Sequence, residues 1–150
     1  MAKIIQIHIS DKTGGTTTET QQVEAQADCG LVGDRYYLAE PESPNKGAIT
    51  LQSIEAIDAC NKQLKTSFVG AAFRRNLITQ GIELNSLLGK KFYVGEVLLY
   101  AWELCQPCLY LQKMLQANLL VGMLDRGGLR AEILKGGLIR PGMPIVVADE

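Results

Sequence analysis

The sequence predicts a mostly β protein, a closed or nearly closed β-barrel with about two or three short flanking helices. Three observations lead to this fold class. About eight short segments are apolar or alternate between apolar and polar residues. Turn residues separate most of these segments. Strands do not alternate regularly with helices, which argues against a doubly wound parallel sheet.

The composition is that of one ordinary globular domain. The chain has 150 residues, 47% of them hydrophobic and 21% charged, which suits a single core over residues 1–150. The net charge of -1 gives no reason to expect nucleic acid or an anionic membrane as a partner. No apolar run approaches the roughly 20 residues that span a bilayer. We therefore expect a cytoplasmic protein whose residues 3–9 are a first strand and not a signal peptide.

The first half of the chain predicts strands separated by glycine-rich and proline-rich loops. Residues 3–9 alternate and are rich in isoleucine, and residues 17–27 are compatible with a second strand. Residues 29–35 contain two glycines, which predicts irregular structure. Residues 41–47 are rich in proline, serine, asparagine and glycine, which predicts a surface loop. Residues 48–51 form a short strand.

A helix is predicted directly after that strand. Ser53 is a good N-cap residue. Apolar side chains then recur at helical spacing, which gives the helix one apolar face. These positions are Ile54, Ile57, Cys60 (or Asn61) and Leu64.

The second half predicts more strands and two short helices. Residues 91–94 and 97–104 are strands joined at Gly95–Glu96, either as a hairpin or as one bulged strand. The other predicted elements are a strand at 76–79, a short helical piece ending near Gly89, helices from Pro107 and at 119–125, a strand at 129–134, turns at 136–137 and 141–142, and a last strand at 144–147.

The most informative stretch for function is Cys105-Gln106-Pro107-Cys108. It follows a buried strand and opens a predicted amphipathic helix, in which Pro107 fits the first helical position. Cys108 then lies in the first turn, where the partial positive charge of the helix favours thiolate over thiol. A thiolate can attack, carry sulfur or bind a soft metal. The competing interpretation is a small buried hydrophobic residue, because Cys108 shares a helical face with leucines.

The paired cysteines leave three kinds of chemistry to compare. A thioredoxin-like redox site requires a βαβ pattern around the pair, which this sequence lacks. A structural zinc site normally has four ligands, and the other His and Cys residues, His8, Cys29 and Cys60, contain no second close pair. Carrying a sulfane sulfur, or ligating a metal through one thiolate, needs only one cysteine. Cys105 is a resolving thiol, a second ligand or a strand-end residue without a chemical task, and we favour the structural interpretation.

An ordered set of motifs resembles one family over nearly the whole chain. The segments are 33–36 (GDRY), 49–55 (ITLQSIE), 75–84 (RNLITQGIEL), 88–95 (LGKKFYVG), 105–108 (CQPC), 126–137 (RGGLRAEILKGG) and 139–147 (IRPGMPIVV). In this order they resemble a stand-alone MOSC domain, the domain named for the C-terminal part of molybdenum cofactor sulfurases. Each motif is weak alone, and the ordered set is fairly specific.

The resemblance implies a barrel-like β fold and one characteristic cysteine that follows a proline, here Cys108. Family members are thought to carry sulfur as a persulfide for metal–sulfur centres, and in larger relatives the cysteine belongs to a molybdenum cofactor site. The implied partners are a cysteine desulfurase as sulfur donor and a metal–sulfur or molybdenum enzyme as acceptor. Any pyridoxal phosphate belongs to the donor, since this chain has no room for a desulfurase domain.

Three further residues are implied as contacts to an anionic cofactor. Arg35 and Arg126 occupy motif positions and carry the guanidinium group that matches phosphate geometry. Asn76 is expected to hydrogen-bond to backbone near the pocket. The chain departs from much of the family at Arg75, where a glutamate is common, and at Glu103, where relatives often have an arginine.

Two other functions fit the same residues. One is a non-enzymatic barrel that binds an anionic ligand through arginines and leaves Cys108 buried. The other is a molybdenum-dependent reductase component for N-hydroxylated compounds, as some relatives are thought to be. Both remain alternatives to sulfur transfer at this stage.

Overall fold

The structure is a computed structural model that describes residues 2–10, 17–65, 75–104 and 128–148. Within these ranges it contains strands, one α-helix and one 3-10 helix, so the protein is mostly β as predicted. The strands are β1 Lys3–Ile9, β2 Thr18–Thr20, β3 Val23–Gln26, β4 Gly30–Leu31, β5 Ile49–Ser53, β6 Leu77–Gln80, β7 Lys91–Val94, β8 Val97–Leu104, β9 Leu129–Lys135, β10 Gly137–Ile139 and β11 Ile145–Val147. The helix α1 spans Ile54–Leu64, and the 3-10 helix spans Leu84–Leu87.

Two sheets organise these strands. The larger has eight strands in the order β11-β7-β8-β9-β5-β6-β1-β2, and the smaller has three in the order β10-β3-β4. Their described pairs are antiparallel apart from β5 with β6, which is parallel. This parallel pair brings the carboxyl ends of β5 and β6 to the same edge, where α1 begins.

The core lies on the inward face of the strands. In β8 every second residue from Val97 to Ala101 is fully buried, and Leu129, Ala131 and Ile133 do the same in β9. Side chains alternate across a strand, so one face of the sheet is continuous with the apolar cluster. That cluster also contains Ile4, Ile7, Leu31, Ile49, Leu51, Leu77, Phe92 and Ile145.

Helix α1 begins and ends at residues that cap it. The Ser53 hydroxyl accepts a hydrogen bond from the Ala56 N–H at 3.0 Å, as the sequence predicts. The helix ends at Lys65, which has the left-handed φ of 56°. Ile57 and Cys60 are buried, whereas Asn61 is half-buried, so Cys60 and not Asn61 belongs to the apolar face.

The expected barrel is not confirmed, because within the described residues the large sheet has two ends, β11 and β2. The reason lies at β1, whose outer edge is already paired with β2 along Ile7–Ile9. The start of β1 reaches the start of β11 only through an isolated bridge of Lys3 with Pro144 and a few backbone bonds around it. Ile4 N–H donates to the Met143 carbonyl at 3.0 Å, Gly142 N–H to the Ile4 carbonyl at 2.6 Å, and Ile145 N–H to the Ala2 carbonyl at 3.0 Å.

Three segments differ from the sequence prediction. Residues 29–35 are predicted to be irregular, but Gly30–Leu31 form β4, which pairs with β3. The single strand expected at 17–27 is two strands, because β2 pairs with β1 in the large sheet and β3 pairs with β10 and β4 in the small one. The turn expected at 136–137 is only one residue long, since Gly137 already begins β10. The alternatives for 91–104 are resolved, as β7 and β8 form an antiparallel hairpin.

The helices predicted from Pro107 and at 119–125 lie outside the described residues. In the ranges that the structure describes, no helix is both long and apolar enough to cross a membrane.

Candidate functional site

A cavity of about 420 Å³ lies at the shared end of β5 and β6. The parallel pairing of these strands places their last residues side by side, and α1 starts there. Small-molecule sites in proteins have volumes of this order. The described lining residues are Gln52, Ser53, Glu55, Ala56, Ala59, Gly81, Ile82, Glu83, Leu84, Asn85 and Gly128.

Gln52 is the unusual residue of this lining. It is 1% exposed and sits in a strand whose residues are all buried. In the part of the chain that the structure describes, neither its Oε1 nor its Nε2 has a hydrogen-bond partner. Buried side-chain amides are normally paired, so an unpaired one beside a cavity indicates a place where a ligand could bond.

Gly128, directly before β9, also lines this cavity. Its φ is 99°, and a Cβ added there would lie 1.9 Å from the Leu51 carbonyl oxygen and 2.9 Å from Gln52 Oε1. No side chain fits in that space. The glycine therefore allows the backbone before β9 to approach β5 closely, and it brings the Gln52 amide next to the start of β9.

The first turn of α1 contributes partial positive charge to the cavity. Ser53 uses its hydroxyl to cap the Ala56 N–H. Glu55 lies in the same turn, and its Oε2 accepts a 2.9 Å hydrogen bond from the Gly81 N–H after β6. This bond ties the helix to the loop that forms the opposite wall.

Asn76, predicted to contact a cofactor, makes a set of structural hydrogen bonds. Its Oδ1 accepts from Thr50 N–H at 3.0 Å and from the Thr50 hydroxyl at 3.1 Å, and its Nδ2 donates to the His8 carbonyl at 3.1 Å. Asn76 is 1% exposed. The described bonds explain why an asparagine is needed here, and the cofactor contact stays a prediction.

Arg35 is also engaged within its own motif. Its Nη1 lies 3.4 Å from Asp34 Oδ1, and the guanidinium carbon is 4.6 Å from the centre of the Tyr36 ring. The Arg35 and Asp34 side chains are only 4% and 1% exposed. Asp34 Oδ1 also accepts the Ser10 N–H at 3.0 Å, so the contacts of Asp34 give it a structural role.

The remaining predicted site residues fall elsewhere. Cys108, Cys105 and Arg126 lie outside the described residues. Cys29 and Cys60 are both buried. Among the described residues, no group of three His, Cys, Asp or Glu side chains could hold a metal ion.

His8 is buried in β1, and its pKa is lowered from the ordinary value of 6.5 by that burial, with Glu19 acting weakly in the opposite direction. Its Nε2 lies 3.1 Å from Gln6 Oε1. These contacts agree with the structural role that a lone histidine predicts.

An aromatic pair occupies the half-buried face of β8. The rings of Tyr100 and Trp102 have centroids 4.8 Å apart. Trp102 Nε1 donates to Glu132 Oε1 at 2.9 Å, and Lys46 Nζ lies 4.5 Å from the centre of the Trp102 ring. Neither aromatic residue belongs to the described cavity lining.

Sequence reasoning missed Gln52 and the cavity beside it. The signal that could have found Gln52 is a glutamine between apolar residues in a segment of continuous burial, at the end of a strand and directly before an N-cap. The cavity itself depends on how β5, β6 and β9 meet, which no local pattern shows.

Comparison with known proteins gives the family. The model of the MOSC domain matches residues 12–146, and the chain therefore belongs to the MOSC domain family. No protein with a curated description matches it.

Solved structures share the fold at low sequence identity. The YuaD protein of Bacillus subtilis is 16% identical, covers 100% of this chain and 98% of its own, and superposes with a TM-score of 0.84. YiiM of Geobacillus stearothermophilus is 20% identical, with 99% and 76% coverage and a TM-score of 0.79. YiiM of Escherichia coli is 19% identical, with 100% and 71% coverage and a TM-score of 0.73. At these identities the likeness establishes the fold alone.

Proposed function

We propose that this MOSC domain is a cytoplasmic sulfur carrier in which the Cys108 thiolate accepts sulfane sulfur. The observation that supports the proposal most is where the cysteine segment joins the sheet. The described chain stops at Leu104 and resumes at Gly128. Leu104 pairs with Leu129, and Leu129 also pairs with Leu51 in the strand that lines the cavity.

Covalent geometry keeps the cysteine near that junction. Four residues of chain span at most about 14 Å, which limits the distance between Cys108 and Leu104 whatever the conformation between them. The cavity with its buried amide lies at the same end of the sheet. A sulfur carrier needs its thiolate next to a cavity that shields the bound sulfur, and such a cavity lies at this end of the sheet.

The chemistry requires one nucleophile and one partner. The Cys108 thiolate would attack the outer sulfur of a persulfide on a cysteine desulfurase. The sulfur–sulfur bond of the donor breaks, the donor cysteine leaves as a thiolate, and Cys108 holds the new persulfide. The buried cysteines Cys29 and Cys60, which form no disulfide with a described residue, fit the reducing compartment that this proposal assumes.

The described residues do not fit the phosphate of a molybdenum cofactor in the cavity. Its described lining contains Glu55 and Glu83 and no arginine or lysine. Arg35, the predicted arginine contact that the structure describes, is paired with Asp34. Sulfur carriage therefore fits the described residues better than molybdenum ligation by Cys108.

Intact mass spectrometry tests the proposal directly. The protein is incubated with a pyridoxal-phosphate cysteine desulfurase and cysteine, and we expect a gain of one sulfur atom that reductant removes. The adduct should vanish in Cys108→Ala and persist in the matched variant Cys105→Ala. An unchanged mass in the native protein, or an adduct that survives Cys108→Ala, contradicts the proposal.

A binding module with an inert, buried cysteine is the principal alternative, and thiol alkylation separates the two. Rapid modification of Cys108 in the folded protein supports the carrier. Protection of Cys108 until the protein unfolds supports the binding module.

A further inference from the structure

The amide of Gln52 is a buried polar group that sulfur carriage at Cys108 does not use. Gln52 lines the cavity and is 1% exposed. Within the described ranges, its Oε1 and Nε2 both lack a hydrogen-bond partner. A buried donor or acceptor without a partner loses its hydrogen bonds to water and gains none in return. A ligand in the cavity would supply the hydrogen bonds that the Gln52 amide lacks.

The shape of the group limits what can complete it. A primary amide presents one acceptor oxygen beside one N–H donor. A carboxylate or phosphate would accept from Nε2 and leave Oε1 unpaired. An ammonium group would donate to Oε1 and leave Nε2 unpaired. A group that carries an N–H next to a carbonyl satisfies both atoms at once.

The charges around the cavity point the same way. Glu55 and Glu83 line it, and no basic residue does among the described lining residues, which disfavours an anion. The N-terminus of α1 and the Gly81 N–H bonded to Glu55 partly balance this negative charge. A neutral polar ligand suits these surroundings better than either ion.

We propose that the cavity binds a small planar molecule with a lactam or carboxamide edge, which pairs with the Gln52 amide through two hydrogen bonds. The volume of about 420 Å³ admits a molecule of one or two rings. The inference depends on the proposed function in one respect: it treats the cavity as part of the sulfur-carrier site. Binding itself needs no thiol, so the two proposals can fail separately.

The test uses three probes of the same size and different chemistry: benzamide, benzoate and benzylamine. Each is titrated into the isotope-labelled full chain, and the Gln52 side-chain amide resonances are followed by NMR. We expect benzamide to shift these resonances with a Kd at least about tenfold lower than either ionic probe, because it alone pairs with both atoms. Equal binding of the three probes, or no shift with benzamide, overturns the proposal.

A variant pair assigns the effect to the side chain. Gln52→Leu should weaken benzamide binding at least about tenfold, whereas Gln21→Leu at an exposed position should leave it unchanged. Unchanged binding in folded Gln52→Leu contradicts the proposal, and the three-probe comparison on the native protein decides the matter if that variant does not fold. Benzamide binding that survives in Cys108→Ala separates ligand recognition from sulfur carriage.

Discussion

Asn76 shows how one side chain can hold several strands together. Its amide joins Thr50 of β5 to His8 of β1 across the start of β6. The backbone takes part as well, because the Asn76 N–H donates to Thr50 and the His8 N–H donates to the Asn76 carbonyl at 2.7 Å. The residue therefore sets the position of β6 between its two neighbours.

Replacing this residue should be costly. Asn76→Ala removes three buried hydrogen bonds and leaves the Thr50 and His8 groups unpaired, so we expect a loss of about 3 kcal/mol in the free energy of unfolding. Urea denaturation measures it, with exposed Gln21→Ala as the control. A loss no larger than that of the control would show that water replaces the amide.

Gly128 and Gly142 make a matched pair for testing the close approach of the backbone. Their φ values are 99° and 94°, but a Cβ at Gly128 would lie 1.9 Å from the Leu51 carbonyl oxygen, whereas one at Gly142 meets nothing within 4 Å. Both alanine variants carry the strain of a positive φ, about 1–2 kcal/mol.

Gly128→Ala should therefore destabilise the protein by at least about 2 kcal/mol more than Gly142→Ala, because its clash is with backbone. Chemical denaturation of both variants gives the difference. Equal losses would mean that the backbone before β9 can move away from β5 without cost.

His8 predicts a pH dependence of stability. Burial lowers its pKa in the folded protein below the ordinary 6.5, so the unfolded chain binds the proton more tightly. The stability present above pH 6.5 is then lost as pH falls from there towards the folded pKa. His8 is the only histidine of the chain.

The measurement is thermal or urea unfolding between about pH 7.5 and 5.5. We expect the native protein to lose stability across this window and His8→Gln to flatten the slope. A slope that His8→Gln leaves intact would assign the dependence to carboxylates.

At the scale of one element, α1 depends on its first residue. Ser53 ends β5 and also caps the helix, so the strand and the helix meet without a connecting loop. This direct transition places the first turn of α1 on the cavity, together with Glu55. The same residue thus fixes the helix and shapes one wall of the site.

Removing the cap tests this arrangement. Ser53→Ala leaves the Ala56 N–H without its partner and should cost about 1 kcal/mol, whereas Ser53→Thr keeps a hydroxyl and should recover most of it. The free energy of unfolding is measured for both variants. Equal losses in the two would show that packing at this position, and not the hydrogen bond, stabilises the helix.

At the scale of the whole molecule, the apolar cluster spans the large sheet and parts of the small one. Cys29 is 7% exposed and Cys60 0% exposed. Because both side chains are buried, their reactivity reports on whether the structure around each of them opens.

We expect iodoacetamide to leave Cys29 and Cys60 unmodified in the native protein and to modify both once it is unfolded in denaturant. Peptide mass spectrometry follows each thiol separately, and Gln21→Cys at an exposed position serves as a control that reacts at once. Native modification of Cys60 would show that α1 detaches from the sheet on the timescale of labelling.

Linear patterns of residues were enough to predict the family, the β character and most of the individual elements. β1, the hairpin of β7 with β8, and the Ser53 cap follow from alternation, turn residues and capping chemistry. These features depend on neighbours a few residues apart, which is why a linear pattern can specify them.

Three features follow from the three-dimensional packing alone: the described strands of the large sheet do not close into a barrel, residues 17–27 contribute to two sheets, and Gln52 lines a cavity. Each of these depends on contacts between distant segments: β2 occupying the outer edge of β1, β3 pairing with β10, and Gly128 approaching β5. Local strand propensity does not specify which distant strand pairs with a given sheet edge, because that pairing depends on how the whole chain packs.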